Sequence, residues 1–412
     1  MVLRSIILNQ GNLLNRIKIT LGIVLLARLG TFISIPGVDQ IYFSNELKNS
    51  SIFNSFSPIL QGDSFLLGVF TLGILPNLNA SIAIQLLSSV LPPLKRLTKE
   101  GGELGQKKVT KFTRYLTAII AFQYGLVIAF AIKPYVFGWD FTRAFIIALT
   151  LMTGSLIILW LSEIINENGL GNGTSLFIFV NIISFLPKAL ISFNLNSNLS
   201  SKLLAITIFF IGILSIVIVQ AAIRKIEVIS LKDLAQGVIG DKERFIAFRL
   251  NPSGIMPLIL SSSLLNLIVV GLNNIKLPFT VGNISNFVYM FGYFLLTLFF
   301  SYFYSTITLN PVELSVDLRK KGSSIPLVSP GLATMKLLQE IINRISLLGG
   351  LFLAVIVTIP SFLSATNLNF PELRGVSGTS ILILSGVAVD LSRQLRTYSI
   401  FGSYDSMEIK EL

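Results

Sequence analysis

Residues 65–91 read FLLGVFTLGILPNLNASIAIQLLSSVL, and this stretch decides the fold. It is long and apolar enough to cross a bilayer, which takes about 20 residues in a helix. Its middle nevertheless contains Gly68, Gly73, Pro76 and Asn79. Lipid offers no hydrogen bonds to backbone groups that a proline frees, so such a break persists only against protein or a water-filled cavity. The stretch therefore predicts a broken membrane span beside a path through the membrane.

The composition of the whole chain is typical of a membrane protein. Of its 412 residues, 52% are hydrophobic and 13% are charged, and the mean hydropathy is +0.77. These values favour an all-α protein with many membrane-spanning helices. The chain has no cysteine and no histidine, which excludes disulfides, thiolate chemistry and the commonest metal ligand. No pairing of a nucleophile with a base is visible either, so we expect no enzymatic activity, no metal and no cofactor.

Ten segments are apolar enough to span a membrane at about 20 residues each. They are residues 17–36, 66–91, 115–133, 144–163, 174–193, 203–223, 254–272, 287–308, 345–363 and 378–397. A tail at 1–16 lacks the cleavage site of a signal or transit peptide, and a second tail follows at 398–412. The connections are short except for those at 92–114, 224–253 and 309–344.

The basic residues are distributed unequally between the two sides of these spans. The two tails and the three long connections carry 24 of the 32 lysines and arginines, the opposite side carries seven, and Arg28 lies within the first span. Because lysine and arginine favour the cytosolic face, we expect both termini on the cytosolic or stromal side. The net charge of +12 is then mainly a sign of topology, and no specific nucleic-acid binding is predicted. Three large basic loops on one face also favour docking of an acidic partner.

A second proline-broken span occurs at the corresponding position of the other five spans. The two segments are LGILPNLNASIAIQLL at 72–87 and NPSGIMPLILSSSLL at 251–265. Paired broken helices are the best sequence indication of a transport path between two repeats. Because five is odd, the halves 17–193 and 203–397 would have opposed orientations. Two unrelated proline kinks are the alternative interpretation.

The glycine-rich segment ENGLGNGTS at 167–175 invites a nucleotide-binding interpretation, but it follows a span instead of a strand. We expect a tight turn into the fifth span, with Thr174 or Ser175 as the N-cap. Glu163 and Asp390 lie near cytosolic span ends and are interpreted as structural. No chain of carboxylates crosses the spans, which disfavours an ion-coupled solute carrier.

Seven blocks of the sequence, in order over about residues 15–400, resemble one family. The blocks are IPGVDQ (35–40), LGILPNLNASIAIQLL (72–87), WLSEIINENGLGNGTSLFIF (160–179), FRLNPSGIMPLILSSS (248–263), NPVELSVDLRKKGSSIPLVSPGLAT (310–334), INRISLLGGLFLAVIVTIP (342–360) and SGTSILILSGVAVDLSRQL (377–395). The family is SecY, the pore-forming subunit of the Sec protein translocase. The resemblance implies ten transmembrane helices in two pseudo-symmetric, inverted five-helix halves around a central hourglass pore.

The same resemblance implies the parts of a gated pore. The lateral gate would lie between spans 2–3 on one side and spans 7–8 on the other. The plug would be residues 56–67, where Ser57-Pro58-Ile59 departs from the small, glycine-rich pattern of the family. The pore constriction would be built by five aliphatic residues, Ile74, Leu78, Ile178, Ile259 and Ile383. A narrow apolar throat resists wetting and ions. Without the resemblance, these residues would be interpreted as ordinary core aliphatics.

Polar residues of the two broken spans would face the lateral gate, namely Asn79, Ser81, Gln85 and Ser263. Hydrogen bonding between helices is the alternative role for such residues. Five basic residues of the long loops would dock a motor or a ribosome, namely Arg224, Lys225, Arg244, Lys320 and Lys321. Ser329 stands where the family usually has an arginine, and Leu-Val precedes it instead of Gly-Ile, which predicts an altered contact.

The implied function is a passive channel for unfolded polypeptides, which releases hydrophobic segments sideways into membrane lipid. Its partners would be a SecE-like small subunit, a SecG-like subunit, a SecA-type ATPase motor or a ribosome, and precursor polypeptides with signal sequences. Richness in Asn, Ile, Leu and Lys favours a plastid thylakoid membrane, with a bacterial plasma membrane as second choice. The alternative function is a secondary solute transporter with inverted repeats, for which only Arg28 offers a midplane group. An intramembrane hydrolase ranks third.

Overall fold

The computed structural model describes residues 2–39, 67–91, 93–94, 97, 102–193, 199–230, 245–252, 254, 256–262, 264–265, 282–365 and 378–408. The chain divides into two compact units. The first comprises Met1–Lys188 together with Val387–Leu412, and the second comprises Ala189–Gly386. The predicted plug at 56–67, apart from Leu67, lies outside the described residues, as do Arg244 and Ser263.

The first unit is built from long helices. They are α1 (Val2–Thr31), α2 (Leu75–Val90), α3 (Gly102–Ala131), α4 (Phe141–Asn168) and most of α5 (Gly173–Phe193), with a 3₁₀ turn at Lys133–Tyr135. Helix α1 runs without interruption from the predicted tail into the first predicted span, and it ends at Thr31, before the predicted end of that span at residue 36. The core of the unit is a cluster of aliphatic residues from the segments after α1, before α2 and after α3, and from α3 and α4 themselves, including Ile35, Leu67, Leu72, Ile132 and Leu151.

The second unit contains helices and short strands. Its helices are α6 (Leu199–Ala221), α7 (256–262), α8 (Gly282–Thr308), α9 (Pro311–Lys320) and α10 (Leu332–Ala365), and the unit boundary falls within α11 (Gly378–Glu408). Its core gathers aliphatic and aromatic residues from α6, α7, α8, α10 and α11, including Ile216, Leu258, Tyr293, Leu353 and Leu382. Helices α8 and α10 pack against each other along their length.

Every one of the ten predicted spans contains a helix within its described residues. Among the described residues, four regions are helical, long and apolar enough to cross a membrane by length and composition: Gly102–Ala131, Phe141–Asn168, Met290–Lys320 and Leu332–Ile359. Each of these regions exposes large apolar side chains, including Ile119, Ile157, Phe299 and Leu348, as lipid-facing surfaces require. The expected helical membrane architecture is therefore the observed one.

Four short strands were not predicted, and they amend the all-α interpretation. Strand β1 (Ile223–Glu227) pairs antiparallel with β3 (Phe245–Arg249), and β2 (Ile229–Ser230) pairs antiparallel with β4 (Ser323–Ser324). The second pair joins the 224–253 connection to the 309–344 connection. The two long connections thus fold together, and we call residues 223–230, 245–249 and 309–345 the loop module.

The loop module has its own apolar core. Its buried residues come from β1, β3, the segment after β4 and the start of α10, and they are Ile226, Phe248, Ile325, Leu338, Ile342 and Ile345. Helix α9 enters the module with a complete set of start signals: the Asn310 side chain accepts a hydrogen bond from the Val312 amide at 3.1 Å, and Pro311 occupies the first turn. Arg319 and Lys320 end the helix, where cations complement its dipole.

Candidate functional site

The broken span is irregular over residues 67–74, and helix α2 begins only at Leu75. Pro76 lies in the first turn of α2, where its missing N–H costs no hydrogen bond. Pro76 therefore starts the helix and does not interrupt one. The break itself lies before the proline, where Gly73 adopts a φ of +54° that L-residues rarely take.

The end of helix α1 covers one side of the break. The Val69 amide donates to the Ile33 carbonyl at 2.9 Å, and the Ile35 amide donates to the Leu67 carbonyl at 3.2 Å. These bonds form a small antiparallel bridge around Gly68. A Cβ atom on Gly68 would lie 2.0 Å from the Thr31 carbonyl oxygen, so glycine is required for this approach. The exposed backbone of the break is thus satisfied by protein, as the sequence predicted.

Helix α4 covers another side of the break. A Cβ atom on Gly154 would lie 2.0 Å from the Val69 carbonyl oxygen. The neighbouring Ser155 hydroxyl is buried and donates to the Gly73 carbonyl at 3.2 Å. Sequence reasoning missed both residues, although a Gly-Ser pair in the middle of an apolar span is a known signal for close helix approach. Together α1 and α4 hold the irregular segment in place.

The candidate constriction residues are aliphatic side chains with little exposure. In the first unit, Ile74 is 0%, Leu78 is 2% and Ile178 is 5% exposed. Ile74 and Leu78 flank the start of α2, and the Leu78 amide donates to the Ile74 carbonyl at 3.1 Å, which places the two residues one turn apart. In the second unit, Ile383 is 8% exposed on α11 and Ile259 on α7 is partly buried.

The candidate gate residues differ in their partners. The Asn79 amide nitrogen donates to the Tyr124 hydroxyl of α3 at 2.8 Å, so this residue links two helices. The Ser81 hydroxyl donates to the Leu78 carbonyl within its own helix. Gln85 is half-buried, and its backbone carbonyl accepts from the Ser88 hydroxyl. For Asn79, the alternative role of hydrogen bonding between helices is the one observed.

Two further polar contacts near the broken spans were missed from the sequence. The Thr117 hydroxyl of α3 lies 3.3 Å from the Asn77 side-chain oxygen of α2, and both residues are buried. In the second unit, the hydroxyls of Ser261 on α7 and Thr297 on α8 lie 3.2 Å apart, and both side chains are fully buried. Each broken span is therefore tied to a neighbouring helix of its own unit by a buried polar pair.

The glycine-rich turn at 169–173 leads into α5, as expected, but its cap is different. Asn172 is the capping residue, since its side-chain oxygen accepts from the Thr174 amide at 3.1 Å and from the Thr174 hydroxyl at 2.6 Å. Thr174 thus donates to the cap instead of providing it. From α1, Arg16 donates to the Gly169 carbonyl at 3.2 Å and to the Tyr398 hydroxyl of α11 at 2.9 Å.

Glu163 has the structural role predicted for it. Arg114 of α3 binds its carboxylate through two nitrogens, at 2.9 and 2.8 Å. The pair is partly exposed, with side-chain exposures of 56% for Arg114 and 25% for Glu163. Such a pair contributes about 0–1 kcal/mol to stability, so its main effect is to align the ends of α3 and α4.

The loop module gathers most of the candidate docking residues. Arg224 and Lys225 are exposed on β1, and the Lys225 ammonium lies 4.6 Å from the Phe245 ring centroid on β3. Lys320 and Lys321 are exposed at the end of α9. Within the part of the chain that the structure describes, no group of three acidic, histidine or cysteine side chains could hold a metal ion.

The apolar spanning helices, the braced break and the folded basic module define a multi-spanning membrane protein built like a protein-conducting channel. A solved structure described as "The structure of a protein conducting channel" matches with a TM-score of 0.67 at 18% identity, covering 95% of this chain and 93% of that one. The structure of Sec61 in the canine ribosome-channel complex matches with a TM-score of 0.62 at 18% identity, again covering 95% and 93%.

The SecY family model matches residues 68–392 of the sequence. Protein translocase subunit SecY of Guillardia theta is 40% identical over 97% of this chain and 98% of its own length. The corresponding subunit of Porphyra purpurea is 42% identical over 97% of this chain and 99% of its own length. The chain belongs to the SecY family. Membership confirms the predicted fold class and the predicted function of a translocase channel subunit, and it does not favour a solute transporter.

Proposed function

We propose that the channel opens along the broken span at residues 67–74, letting unfolded polypeptides cross the membrane and hydrophobic segments leave sideways into lipid. The observation that supports this proposal is the bracing of the break by α1 and α4. An irregular backbone at membrane depth is tolerated only against protein or beside a water-filled cavity. Two of its sides are covered by protein. The remaining side is the one we assign to the translocating chain.

The constriction is the part of this path that closes around the polypeptide. The family resemblance assigns to it Ile74, Leu78 and Ile178 of the first unit and Ile259 and Ile383 of the second unit. Aliphatic side chains suit this task because they adapt to any passing sequence and form a throat that resists wetting when empty. The low exposure of these residues is compatible with a closed throat. Residues 56–67 would form the plug beside it.

The lateral gate would use the polar residues of the two broken spans. Asn79, Ser81, Gln85 and Ser263 would lower the cost of separating the helices, because each can exchange a protein hydrogen bond for one to water or to the passing chain. The bond from Asn79 to Tyr124 joins spans 2 and 3, which lie on the same side of this gate, so it would stay in place when the gate opens.

The exposed basic residues of the loop module and membership of the SecY family support the assignment of partners. We assign the loop module, with Arg224, Lys225, Lys320 and Lys321, and Arg244 in the adjoining segment, to docking of a SecA-type ATPase or a ribosome. SecE-like and SecG-like subunits would complete the complex. The protein itself would perform no chemistry, with the motor or ribosome supplying the driving force. Relatives from plastids and cyanobacteria favour a thylakoid membrane with both termini in the stroma.

Site-specific crosslinking would test the path directly. Because the chain has no cysteine, each introduced cysteine is the only one in the protein. Ile74→Cys and Ile259→Cys would be reconstituted separately with a SecE-like subunit and a SecA-type ATPase. A precursor with one cysteine would be stalled midway by a folded C-terminal domain. We expect a disulfide between the stalled precursor and either position, dependent on ATP.

The control cysteine replaces Leu29, a residue of α1 that is 67% exposed on an apolar face. Leu29→Cys should form no crosslink with the stalled precursor. Equal crosslinking at Leu29 and Ile74 would refute the assignment of the path. The absence of any ATP-dependent protection of the precursor would refute translocation itself.

A further inference from the structure

Leu327 has an unusual backbone conformation at the tip of the loop module. Among the described residues it is the only one other than glycine with a positive φ, which is +62°. It is the third residue of a four-residue turn, in which the Val328 amide donates to the Ile325 carbonyl at 3.3 Å. Pro326 precedes it, as in a type II turn, and the third position of that turn favours glycine. Leucine is disfavoured there because its Cβ crowds the backbone.

The side chain of Leu327 contributes nothing to the packing of the module. It is fully exposed, with a relative exposure of 106%. The residues that anchor the turn are its neighbours: Ile325 is 7% exposed within the module core, and Val328 packs against that core. A residue that is both strained and fully exposed is not explained by the stability of its own chain. A strained position of this kind points to a function outside the chain.

The surroundings of Leu327 indicate the chemistry of what would cover it. Arg319, Lys320 and Lys321 are exposed at the end of α9, just before β4. Leu332, at the start of α10, is 76% exposed. Ser329 brings no charge to the tip, and its carbonyl accepts from the Thr334 hydroxyl at 2.9 Å. The loop module thus presents a fully exposed apolar side chain a few residues after a run of exposed cations.

We propose that Leu327 determines the specificity of docking by inserting into an apolar pocket of a protein partner, whose acidic rim faces the cations of α9. This inference rests on the proposed docking function of the loop module. A protein pocket suits a leucine because burying the side chain removes apolar surface from water. Ribosomal RNA offers mainly phosphates and polar base edges, which basic and hydrogen-bonding side chains recognise instead.

The test measures binding of two partners to the full-length chain in lipid nanodiscs. The variants are Leu327→Gly and Leu327→Asn, both of which suit a positive φ, with Val316→Ala as the matched control. Val316 is an exposed apolar residue of α9 in the same module, with 44% exposure. The probes are a purified SecA-type ATPase and purified bacterial-type ribosomes. Affinity and unfolding temperature are recorded for each variant.

We expect both Leu327 variants to bind the ATPase at least about tenfold more weakly, because a buried leucine contributes that much or more. Their ribosome affinity should stay unchanged, and their unfolding temperature should not fall, because glycine and asparagine adopt a positive φ with less strain than leucine. Val316→Ala should behave like the wild type. Wild-type affinity of Leu327→Gly for the ATPase would overturn the inference while leaving the docking function intact. Selective loss of ribosome binding, or loss of affinity together with a lowered unfolding temperature, would also overturn it. If the wild type binds neither probe, the proposed docking function fails first.

Discussion

The carbonyl oxygen of Val69 lies where the side chain of any residue other than glycine at position 154 would have to be, 2.0 Å from its Cβ. This contact places the backbone of α4 directly against the irregular segment before α2. The Ser155 hydroxyl, one residue further along α4, binds the carbonyl of Gly73 in the same segment. The break is therefore a packed element, and its shape depends on a residue 85 positions away in the sequence.

Gly154→Ala should destabilise the protein by about 1–3 kcal/mol or prevent its folding, because the added methyl group meets backbone that cannot move aside. Thermal unfolding of the purified protein in detergent would measure the effect. The control is Gly212→Ala in α6, where nothing lies within 4 Å of an added Cβ. That change should be neutral or slightly stabilising, since alanine favours helix. Equal stability of the two variants would show that the break tolerates displacement.

The hydrogen bond from Asn79 to Tyr124 should contribute measurably to the packing of α2 against α3. A double-mutant cycle with Asn79→Ala and Tyr124→Phe, in which the free energy of unfolding is measured for each variant, would determine the coupling energy of this bond. We expect that coupling energy to be about 0.6 kcal/mol and at most about 1.7 kcal/mol. Ser81→Ala serves as control, because the Ser81 hydroxyl binds only its own helix in the contacts described. A coupling energy of zero would leave Asn79 without a role in holding the two helices together.

The sequence was sufficient for the spans and for the break, and the reasons are physical. Each helix of the membrane region needs its own apolar run, so the run reveals the helix without knowledge of its neighbours. The role of Pro76 was less accessible, since a proline fits both the first turn of a helix and a kink. The N-cap of α5 was predicted at Thr174 or Ser175, two or three residues after the observed Asn172. Asparagine, threonine and serine all suit an N-cap, so the residue types do not distinguish these positions.

The loop module was also not predictable from the sequence, and the reason is different. Ser230 and Ser323 pair although 93 residues separate them, and strands of two to five residues carry too little alternation to reveal themselves. The basic side chains of the two long connections were already explained by membrane topology, so the apolar residues between them were not considered as a core. Ile226 lies between Lys225 and Glu227, and Arg249 follows Phe248, and this weak pattern was the available signal. Leu327 could not be identified because backbone strain leaves no mark in composition.

Phe248→Ala should unfold the loop module without affecting the spans. Phe248 is 3% exposed in the module core, and removal of such a side chain costs about 3–5 kcal/mol. Hydrogen exchange followed by mass spectrometry should show lost protection in β1, β3 and β4 and unchanged protection in α3 and α4. Phe245→Ala on the same strand is the control, since Phe245 is 44% exposed and loses only its contact with Lys225. Unchanged protection in Phe248→Ala would mean that the module core does not hold the strands.

The two tryptophans of the chain allow a test of topology. Trp139 precedes α4 by two residues and packs near Phe130, with the Lys133 ammonium 5.9 Å from its ring centroid. Trp160 is the twentieth residue of α4 and is 60% exposed. A rise of 1.5 Å per residue separates the two rings by roughly 30 Å, about the thickness of the hydrocarbon core. Trp139 should therefore lie at the membrane–water interface on the side opposite to the termini. Trp160 should lie near the membrane–water interface on the side of the termini and the basic loops.

Single-tryptophan variants make this prediction measurable. Trp160→Phe leaves only Trp139, and Trp139→Phe leaves only Trp160. In vesicles with uniform orientation, iodide added outside should quench the fluorescence of one variant and leave the other unaffected, because the ion does not cross the bilayer. Detergent should then make both tryptophans accessible, which controls for burial within the protein. Equal quenching of both variants from one side would contradict a spanning α4.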